Sequence, residues 1–204
     1  MTTRALFPTL LYQGRLSSRK RPSLRERLLR EAVQLREDDG AGRIWSRDNY
    51  PGGYTSYGSL CRLQDISPTF AALERALDVH ARRFARQLAF DLRGKRLAMT
   101  DCWVNVMPCG VAHSLHLHPQ SVISGTYYVQ VPPGSSGIKF EDPRLDRYMA
   151  APPRRARAGG GGTWVTVPAT EGKVLLFESW LRHEVPAQRG RGLRVSVSFN
   201  YGWF

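Results

Sequence analysis

Long apolar runs are absent from this sequence of 204 residues. Its apolar stretches extend over only a handful of residues, whereas a membrane-spanning helix needs about 20. The first segment, MTTRALFPTLLYQGRL, also lacks the apolar block of a secretory signal. We therefore expect a soluble, cytoplasmic protein that has no membrane partner.

Cysteines are few, and their spacing does not suit cross-linking. Cys61, Cys102 and Cys109 are odd in number and contain no CxxC pair. Disulfide scaffolds and zinc-thiolate sites need paired cysteines at characteristic spacings. We expect reduced thiols that are mostly buried.

Acidic residues are fewer than basic ones: the sequence has 17 aspartates and glutamates and 30 lysines and arginines, which gives a formal net charge of +13. A basic surface attracts polyanions without any specific site. However, the excess is mostly dispersed arginine, and no recognisable nucleic-acid module accompanies it. A solvated arginine-rich surface is therefore favoured over a nucleic-acid or acidic-partner site, and a homodimer remains open.

The length favours one domain over residues 1–204, with two parts of different character. Residues 1–96 hold a strand, helices and a loop, whereas residues 97–204 consist of short β-rich segments separated by turn signals. Many short strands predict an antiparallel barrel or sandwich. Within it, the segment 145–162 is rich in proline, arginine and glycine, and we expect a mobile insertion there.

Two helices are predicted in the first part. Ser23 and Glu26 form a capping box before leucines at helical spacing, and a second helix, roughly 68–90, opens after Ser67. FPTLLY, residues 7–12, suits an edge strand. The segment 40–60, rich in glycine, serine and tyrosine, indicates a long ordered loop.

The segment GVAHSLHLHPQS contains three of the five histidines. Residues two apart in a strand project on the same side, so His116 and His118 can both face inward while His113 cannot. His183 follows an apolar strand, and an antiparallel return would bring it beside this pair. Because a mononuclear iron site needs about three protein ligands on one face, these three residues predict a metal site. We expect ordinary structural roles for His113 and for His80 on a helix surface.

Polar residues alternate with apolar ones in the last strand, LRVSVSFN. Its polar row begins with Arg194 and Ser196. An inward-facing arginine beside a metal is suited to bind a carboxylate through two N–H groups, and a structural salt bridge is the alternative. Asn105, in the strand CWVNVM, is a weaker candidate by the same reasoning.

Together, six segments resemble a bacterial group of 2OG-Fe(II) oxygenases that carry H-x-H-P and S-G-x-Y-Y motifs: LFPTLLY, WVNVMPCG, HLHPQSVISGTYYV, KFEDPR, LLFESWLRHEVP and RVSVSFNY. The resemblance implies a mainly β fold with flanking helices. This fold is a double-stranded β-helix (jelly-roll, cupin-like barrel) with two N-terminal helices packed outside it.

The resemblance also implies the site residues. His116, His118 and His183 would be the catalytic iron ligands, although His118 stands where most such enzymes have a carboxylate. Asp142 could supply a carboxylate from elsewhere, but it is a weak candidate because it lies at a strand end.

The remaining implied residues bind the cosubstrate. Arg194 and Ser196 would hold the distal carboxylate of 2-oxoglutarate, and Tyr128 and Asn105 would lie near it unless they serve only as core. The implied enzyme uses Fe(II), 2-oxoglutarate and O2. It hydroxylates a C–H bond of a small-molecule or peptide substrate and releases succinate and CO2.

Two other functions stay open. A three-histidine cupin-type dioxygenase would not use 2-oxoglutarate. Gly110 with His116 and His118 echoes the first cupin motif, but the usual glutamate is missing and Arg194 with Ser196 would have no role. A non-catalytic binding module with a structural metal is the other alternative.

Overall fold

The computed structural model describes residues 2–4, 6–16, 22–150, 152 and 162–204. In chain order the elements are β1 (Tyr12–Arg15), α1 (Leu24–Asp38), α2 (Gly40–Asn49), β2 (Tyr54–Thr55), α3 (Leu63–Ile66), α4 (Pro68–Gln87), β3 (Leu97–Met107), β4 (His113–His116), β5 (Ile123–Gln130), β6 (Ile138–Glu141), β7 (Trp164–Val167), β8 (Lys173–Glu178), β9 (His183–Val185) and β10 (Arg194–Trp203). A short 3-10 helix, Leu145–Tyr148, lies between β6 and β7.

In the described residues, the strands form two antiparallel sheets. The larger sheet has six strands in the order β1-β8-β5-β10-β3-β2, and the smaller has four in the order β4-β9-β6-β7. Buried residues of both sheets, among them Met107, Phe177, Ile138 and Phe140, share one core, so the sheets pack face to face.

A second core lies on the other face of the larger sheet. Buried residues of α1 and α4, including Leu28, Phe70 and Leu77, pack there against Val104 and Val197. The larger sheet is therefore covered on both faces. None of the helices in the described parts of the chain is long and apolar enough to cross a membrane.

Strand β10 pairs with β3 on one side and with β5 on the other, at the centre of the larger sheet. Its apolar residues Val195, Val197 and Phe199 face the helices. Because successive side chains alternate, Arg194 and Ser196 face the space between the sheets. Opposite Phe199 in β5 lies Gly125, where a Cβ atom would come within 2.6 Å of the Phe199 ring.

The predicted starts of α1 and α4 are confirmed. The amide N–H of Glu26 donates to the Ser23 hydroxyl at 3.2 Å, and the amide N–H of Ser23 donates to the Glu26 carboxylate at 2.6 Å. This reciprocal pair satisfies two backbone donors that a helix start leaves without partners. Ser67 is likewise the N-cap of α4, and Pro68 is the first residue of that helix.

The predicted long loop over 40–60 is wrong, because α2 occupies half of it. Asp39 ends α1 and caps α2, accepting a hydrogen bond from the amide N–H of Gly42 at 2.8 Å. A Cβ atom at position 42 would collide with the Asp39 carboxylate. The glycine that indicates a loop in the sequence is here what allows the cap to approach the helix.

Three further expectations have different outcomes. The edge strand lies at Tyr12–Arg15 instead of 7–12, and it does pair at the edge with β8. The predicted mobile insertion 145–162 falls largely outside the described residues, so it stays a prediction. Among the cysteines, which are free, Cys102 is buried, Cys61 is half-buried and Cys109 is exposed. Burial raises the pKa of the Cys102 thiol.

The Asp39 carboxylate links the end of α1 to the segments that follow it. It also accepts hydrogen bonds from the hydroxyls of Tyr54, at 3.0 Å, and Ser59, at 2.5 Å. Asp39→Ala should lower the free energy of unfolding by about 3 kcal/mol, since buried donors lose a charged acceptor. Chemical denaturation measures this loss.

Asp38→Ala is the matched control, because this exposed neighbour bonds only to Gln34 among the described residues. It should change the free energy of unfolding by less than about 0.5 kcal/mol. Equal effects of the two substitutions would contradict the role given to Asp39.

Candidate functional site

A cavity opens between the two sheets, and its wall is mostly polar on one side. Its polar residues come from four strands: Asn105 from β3, His113 and His116 from β4, His183 from β9, and Arg194, Ser196 and Ser198 from β10. Trp103, Met107 and Phe177 supply the apolar part of the wall. Such a combination, an apolar cleft with a few convergent polar groups, is typical of a small-molecule site.

The structure brings the three predicted metal ligands together. His116 of β4 lies directly opposite His183 of β9 in the antiparallel pairing, and His118 follows β4. Each imidazole offers one nitrogen, and these nitrogens all lie within 4.8 Å of one another. Metal–nitrogen bonds are about 2 Å long, so this spacing suits a single ion bound by all three.

Hydrogen bonds select the tautomer of two of these histidines. Nδ1 of His116 lies 2.7 Å from the carbonyl oxygen of Ser114, and Nδ1 of His183 lies 2.9 Å from that of Leu181. A carbonyl oxygen can only accept, so both Nδ1 atoms carry a proton. Nε2 of each ring therefore keeps its lone pair for a metal, which is the usual arrangement of ligating histidines.

Burial keeps these imidazoles neutral. It lowers the pKa of His118 to about 3 and that of His183 to about 3, and charge on the neighbouring histidines acts in the same direction. Burial also lowers the pKa of His116. At neutral pH the lone pairs are available, so a metal does not have to displace protons.

His113 lines the same cavity, which corrects the expectation that it faces away. The pairing of β4 with β9 is irregular between His113 and His116, so simple alternation does not apply. The His113 ring stacks on His116 with centroids 4.5 Å apart, and it contacts Tyr50 at 5.2 Å. His80 is also less exposed than expected, because it is hydrogen-bonded to the Tyr12 hydroxyl at 2.8 Å.

Arg194 lies in the same cavity wall with only 2% of its surface exposed. Nη1 approaches Met107 Sδ at 3.0 Å and Ser196 Oγ at 3.5 Å, and Nε has no hydrogen-bond partner. Within the described part of the chain no carboxylate pairs with it. A buried charge of this kind is costly unless an anion compensates it, so the wall fits a ligand carboxylate.

Two further buried polar atoms lack a hydrogen-bond partner in the described residues. The Tyr128 ring lies 5.1 Å from the guanidinium carbon of Arg194, and the Tyr128 hydroxyl is buried without a hydrogen bond. Asn105 donates to Ser198 Oγ at 3.0 Å, while its own carbonyl oxygen has no partner. Burial raises the pKa of Tyr128, against the opposing effect of Arg194, so the phenol stays a donor. The Tyr128 hydroxyl therefore suits a carboxylate, whereas the Asn105 carbonyl oxygen is an acceptor and suits a donor group.

Asp142 does not join the histidines. Arg144 binds its carboxylate through Nε and Nη2, each at 3.0 Å, and the residue is not among those that line the cavity. In the described residues, the ligand group is thus made of imidazoles alone.

Tyr50 is a further residue of this region that sequence reasoning missed. It follows α2, is 3% exposed and has a hydroxyl without a hydrogen-bond partner. Burial raises its pKa, and Arg194 opposes this, which places the two groups within electrostatic reach. A tyrosine in a glycine-rich segment gives no signal of such a position, because only the fold of α2 brings it there.

Residues 101–200 match a family model described as "Putative 2OG-Fe(II) oxygenase". This range is about half of the chain and contains all four cavity histidines and Arg194. No curated protein matches the sequence.

Solved structures similar to this chain include AviO1 from Streptomyces viridochromogenes, with 14% identity, a TM-score of 0.62 and coverage of 95% of this chain and 90% of that one. A Pseudomonas putida prolyl-4-hydroxylase has 15% identity, a TM-score of 0.60 and coverage of 95% and 92%. HygX from Streptomyces hygroscopicus, with nickel, 2-oxoglutarate and hygromycin B bound, has 18% identity, a TM-score of 0.58 and coverage of 95% and 82%.

These similarities confirm the predicted double-stranded β-helix as the fold. Residues 101–200, which carry the three clustered histidines and the buried arginine, belong to the 2OG-Fe(II) oxygenase family.

Proposed function

We propose that this protein is an Fe(II)- and 2-oxoglutarate-dependent oxygenase. His116, His118 and His183 hold the iron, and Arg194 binds the distal carboxylate of 2-oxoglutarate. The observation that carries the proposal is the combination, in one cavity, of three clustered imidazoles with a buried arginine that has no carboxylate partner in the described chain.

The ligand set suits iron. Imidazole is a good ligand for Fe(II), and three protein ligands on one face leave positions for a chelating cosubstrate and oxygen. When bound, iron, 2-oxoglutarate and O2 supply the oxidation of a substrate C–H bond, with succinate and CO2 as coproducts. The similar structure of HygX holds nickel and 2-oxoglutarate, which supports the same pair of sites in this fold.

His118 makes this site less negative than one with a carboxylate ligand. A neutral imidazole brings no charge, so Fe(II) would have no protein anion beside it, and the distal carboxylate of 2-oxoglutarate would pair with Arg194. Arg194 then remains as the local positive charge at the distal end, where Ser196 and Tyr128 add hydrogen-bond donors.

Aromatic residues of the cavity also hold the imidazoles in position and enclose them. Trp103 contacts His118 with ring centroids 5.8 Å apart, and Phe177 contacts His183 at 4.6 Å. These rings fix the two imidazoles and exclude water from the inner wall. Oxidation in a cavity of this kind is protected from side reactions with solvent.

We propose a small molecule or a peptide as the substrate. The similar structures include a prolyl-4-hydroxylase and a protein with hygromycin B bound, so small molecules and peptides are both represented in this fold. We propose hydroxylation of a C–H bond as the outcome. A cupin-type dioxygenase is less well supported, because it would give Arg194 no carboxylate to bind.

The metal assignment predicts the effect of removing one ligand. His183→Ala should weaken Fe(II) binding by more than about 100-fold, because losing a ligand costs more than the roughly 10–100-fold loss caused by removing a residue that only hydrogen-bonds to a ligand. Anaerobic titration of the purified protein measures this. His80→Ala, which removes a histidine outside the cavity, should leave the metal affinity unchanged. Full affinity in His183→Ala would contradict the site.

The cosubstrate assignment predicts a spectroscopic and a chemical signal. Adding 2-oxoglutarate to the anaerobic iron-loaded protein should produce a metal-to-ligand charge-transfer band, because its keto and carboxylate oxygens chelate the metal. Subsequent oxygen should yield succinate. Iron-loaded, folded protein that gives neither signal would exclude the proposed function.

Arg194→Ala should weaken 2-oxoglutarate binding by at least about 30-fold while iron stays bound, since a buried charge pair is lost. Titration of the charge-transfer band gives this affinity. Arg191→Ala removes an exposed arginine three residues earlier and should bind normally. If both variants bind 2-oxoglutarate as the wild type does, Arg194 is not the anchor.

A further inference from the structure

A groove adjoins the metal cavity and is larger than it. The groove lies where the segments after β4 and β8 come together, and it shares His118 with the cavity. The cavity between the sheets is narrow, with a volume of about 40 Å³, whereas the groove measures about 290 Å³. Iron and 2-oxoglutarate would occupy the cavity. The body of a substrate therefore has to lie outside it, and the groove is the adjoining space.

Backbone hydrogen bonds fix the walls of the groove. The amide N–H of His118 donates to the carbonyl oxygen of Ser179 at 3.0 Å, and that of Ser179 donates to the carbonyl oxygen of Val122 at 3.2 Å. The Ser179 hydroxyl is buried and hydrogen-bonded to Ser124 at 2.8 Å. The two segments are thus joined before any ligand binds, and a preformed site loses little entropy on binding.

Two apolar side chains stay exposed on these joined segments. Leu117 and Trp180 are 41% and 44% exposed, although they flank the hydrogen-bonded residues His118 and Ser179. Phe90 adds a half-buried ring to the same groove. Aromatic and aliphatic surface in a concave site binds the apolar part of a ligand.

The groove also contains a carboxylate. Glu178 is half-buried in its wall and, among the described residues, its side chain takes part in no ion pair or hydrogen bond. By contrast, Glu141 of the smaller sheet binds Arg182 at 3.0 Å. Glu184 of the same sheet binds Lys139 at 2.8 Å. Because Glu178 is half-buried and not enclosed, its carboxylate is accessible to a cation that enters the groove.

We propose that the groove binds the substrate and that this substrate is a small organic cation. Its amino or guanidinium group pairs with Glu178, and its apolar part lies on Trp180 and Leu117. The inference rests on the proposed function and specifies its substrate. A carboxylate binds the N–H groups of a cation strongly, and a tryptophan face attracts a cation as well. A ligand held there lies next to His118 and so next to the metal.

The charge of the chain favours a small occupant over a basic polypeptide. With a net charge of +13, the protein repels molecules that carry several positive charges. A single cation with an apolar body loses little to this repulsion and gains the contact with Glu178. The groove volume of about 290 Å³ suits a molecule with one ring.

Three ligands of similar shape test this with the iron-loaded, 2-oxoglutarate-bound protein under anaerobic conditions. They are the cation 2-phenylethylamine, the neutral 2-phenylethanol and the anion 3-phenylpropionate. Calorimetric titration gives the dissociation constants, and a shift of the charge-transfer band shows binding near the metal. We expect the amine to shift the band and to bind at least about tenfold more tightly than the other two, because only the amine pairs with a carboxylate.

Two substitutions separate the charge from the apolar surface. Glu178→Gln keeps the size of the side chain and removes its charge, so it should weaken amine binding about tenfold and leave alcohol binding unchanged. Trp180→Ala should weaken the binding of both ligands. Glu37→Gln changes an exposed carboxylate on α1, and this matched control should bind both as the wild type does.

Equal affinity of the wild type for the amine and the alcohol, or an unchanged amine affinity in Glu178→Gln, would overturn the inference with the proposed function intact. Tight amine binding without a band shift would place the cation site away from the metal and overturn its assignment to the substrate. A blocked tripeptide with a central lysine that binds more tightly than the amine would overturn the choice of a small molecule. Iron-loaded protein that gives no charge-transfer band with 2-oxoglutarate would overturn the proposed function and this inference together.

Discussion

The burial of both faces of β10 is the constraint on which the rest of the structure depends. A strand at the centre of a sheet that is covered on both sides is normally apolar throughout. Here only the helix-facing row is apolar, and the other row places Arg194 and two serines between the sheets. The cost of burying that charge is offset only if the cavity binds an anion. The burial of Arg194 in this fold therefore makes physical sense only together with an anionic ligand.

The site shows what the sequence could predict and why. His116, His118 and His183 were predictable because two of them share one side of a strand and the third follows an antiparallel return. The pairing of His116 with His183 is that return. Arg194 and Ser196 followed from alternation, a rule that depends only on the geometry of a strand. Helices α1 and α4 were predictable because their caps are local signals.

The errors arise where a local rule meets a tertiary contact. His113 violates alternation because the register shifts within β4, and no feature of HSLH announces that shift. Helix α2 was missed because Gly42, which weakens a helix by propensity, is needed for the approach of Asp39. Tyr50 was missed with it. His113 lines the cavity and Tyr50 packs against it, so a poorly predictable part of the chain lies next to the predictable histidines.

The pairing of Gly125 with Phe199 has a consequence of a different kind. The glycine belongs to the S-G-x-Y-Y motif and lines the cavity, so it is easily taken for a chemical requirement of the site. Its neighbours indicate steric exclusion instead, since any side chain there would push Phe199 and the Leu175 carbonyl oxygen away. Phe199 belongs to the core under the helices. Position 125 is thus restricted to glycine whatever residue stands at 199, because the Leu175 oxygen belongs to the backbone, and diversification of the cavity must draw on other wall residues, such as Trp103.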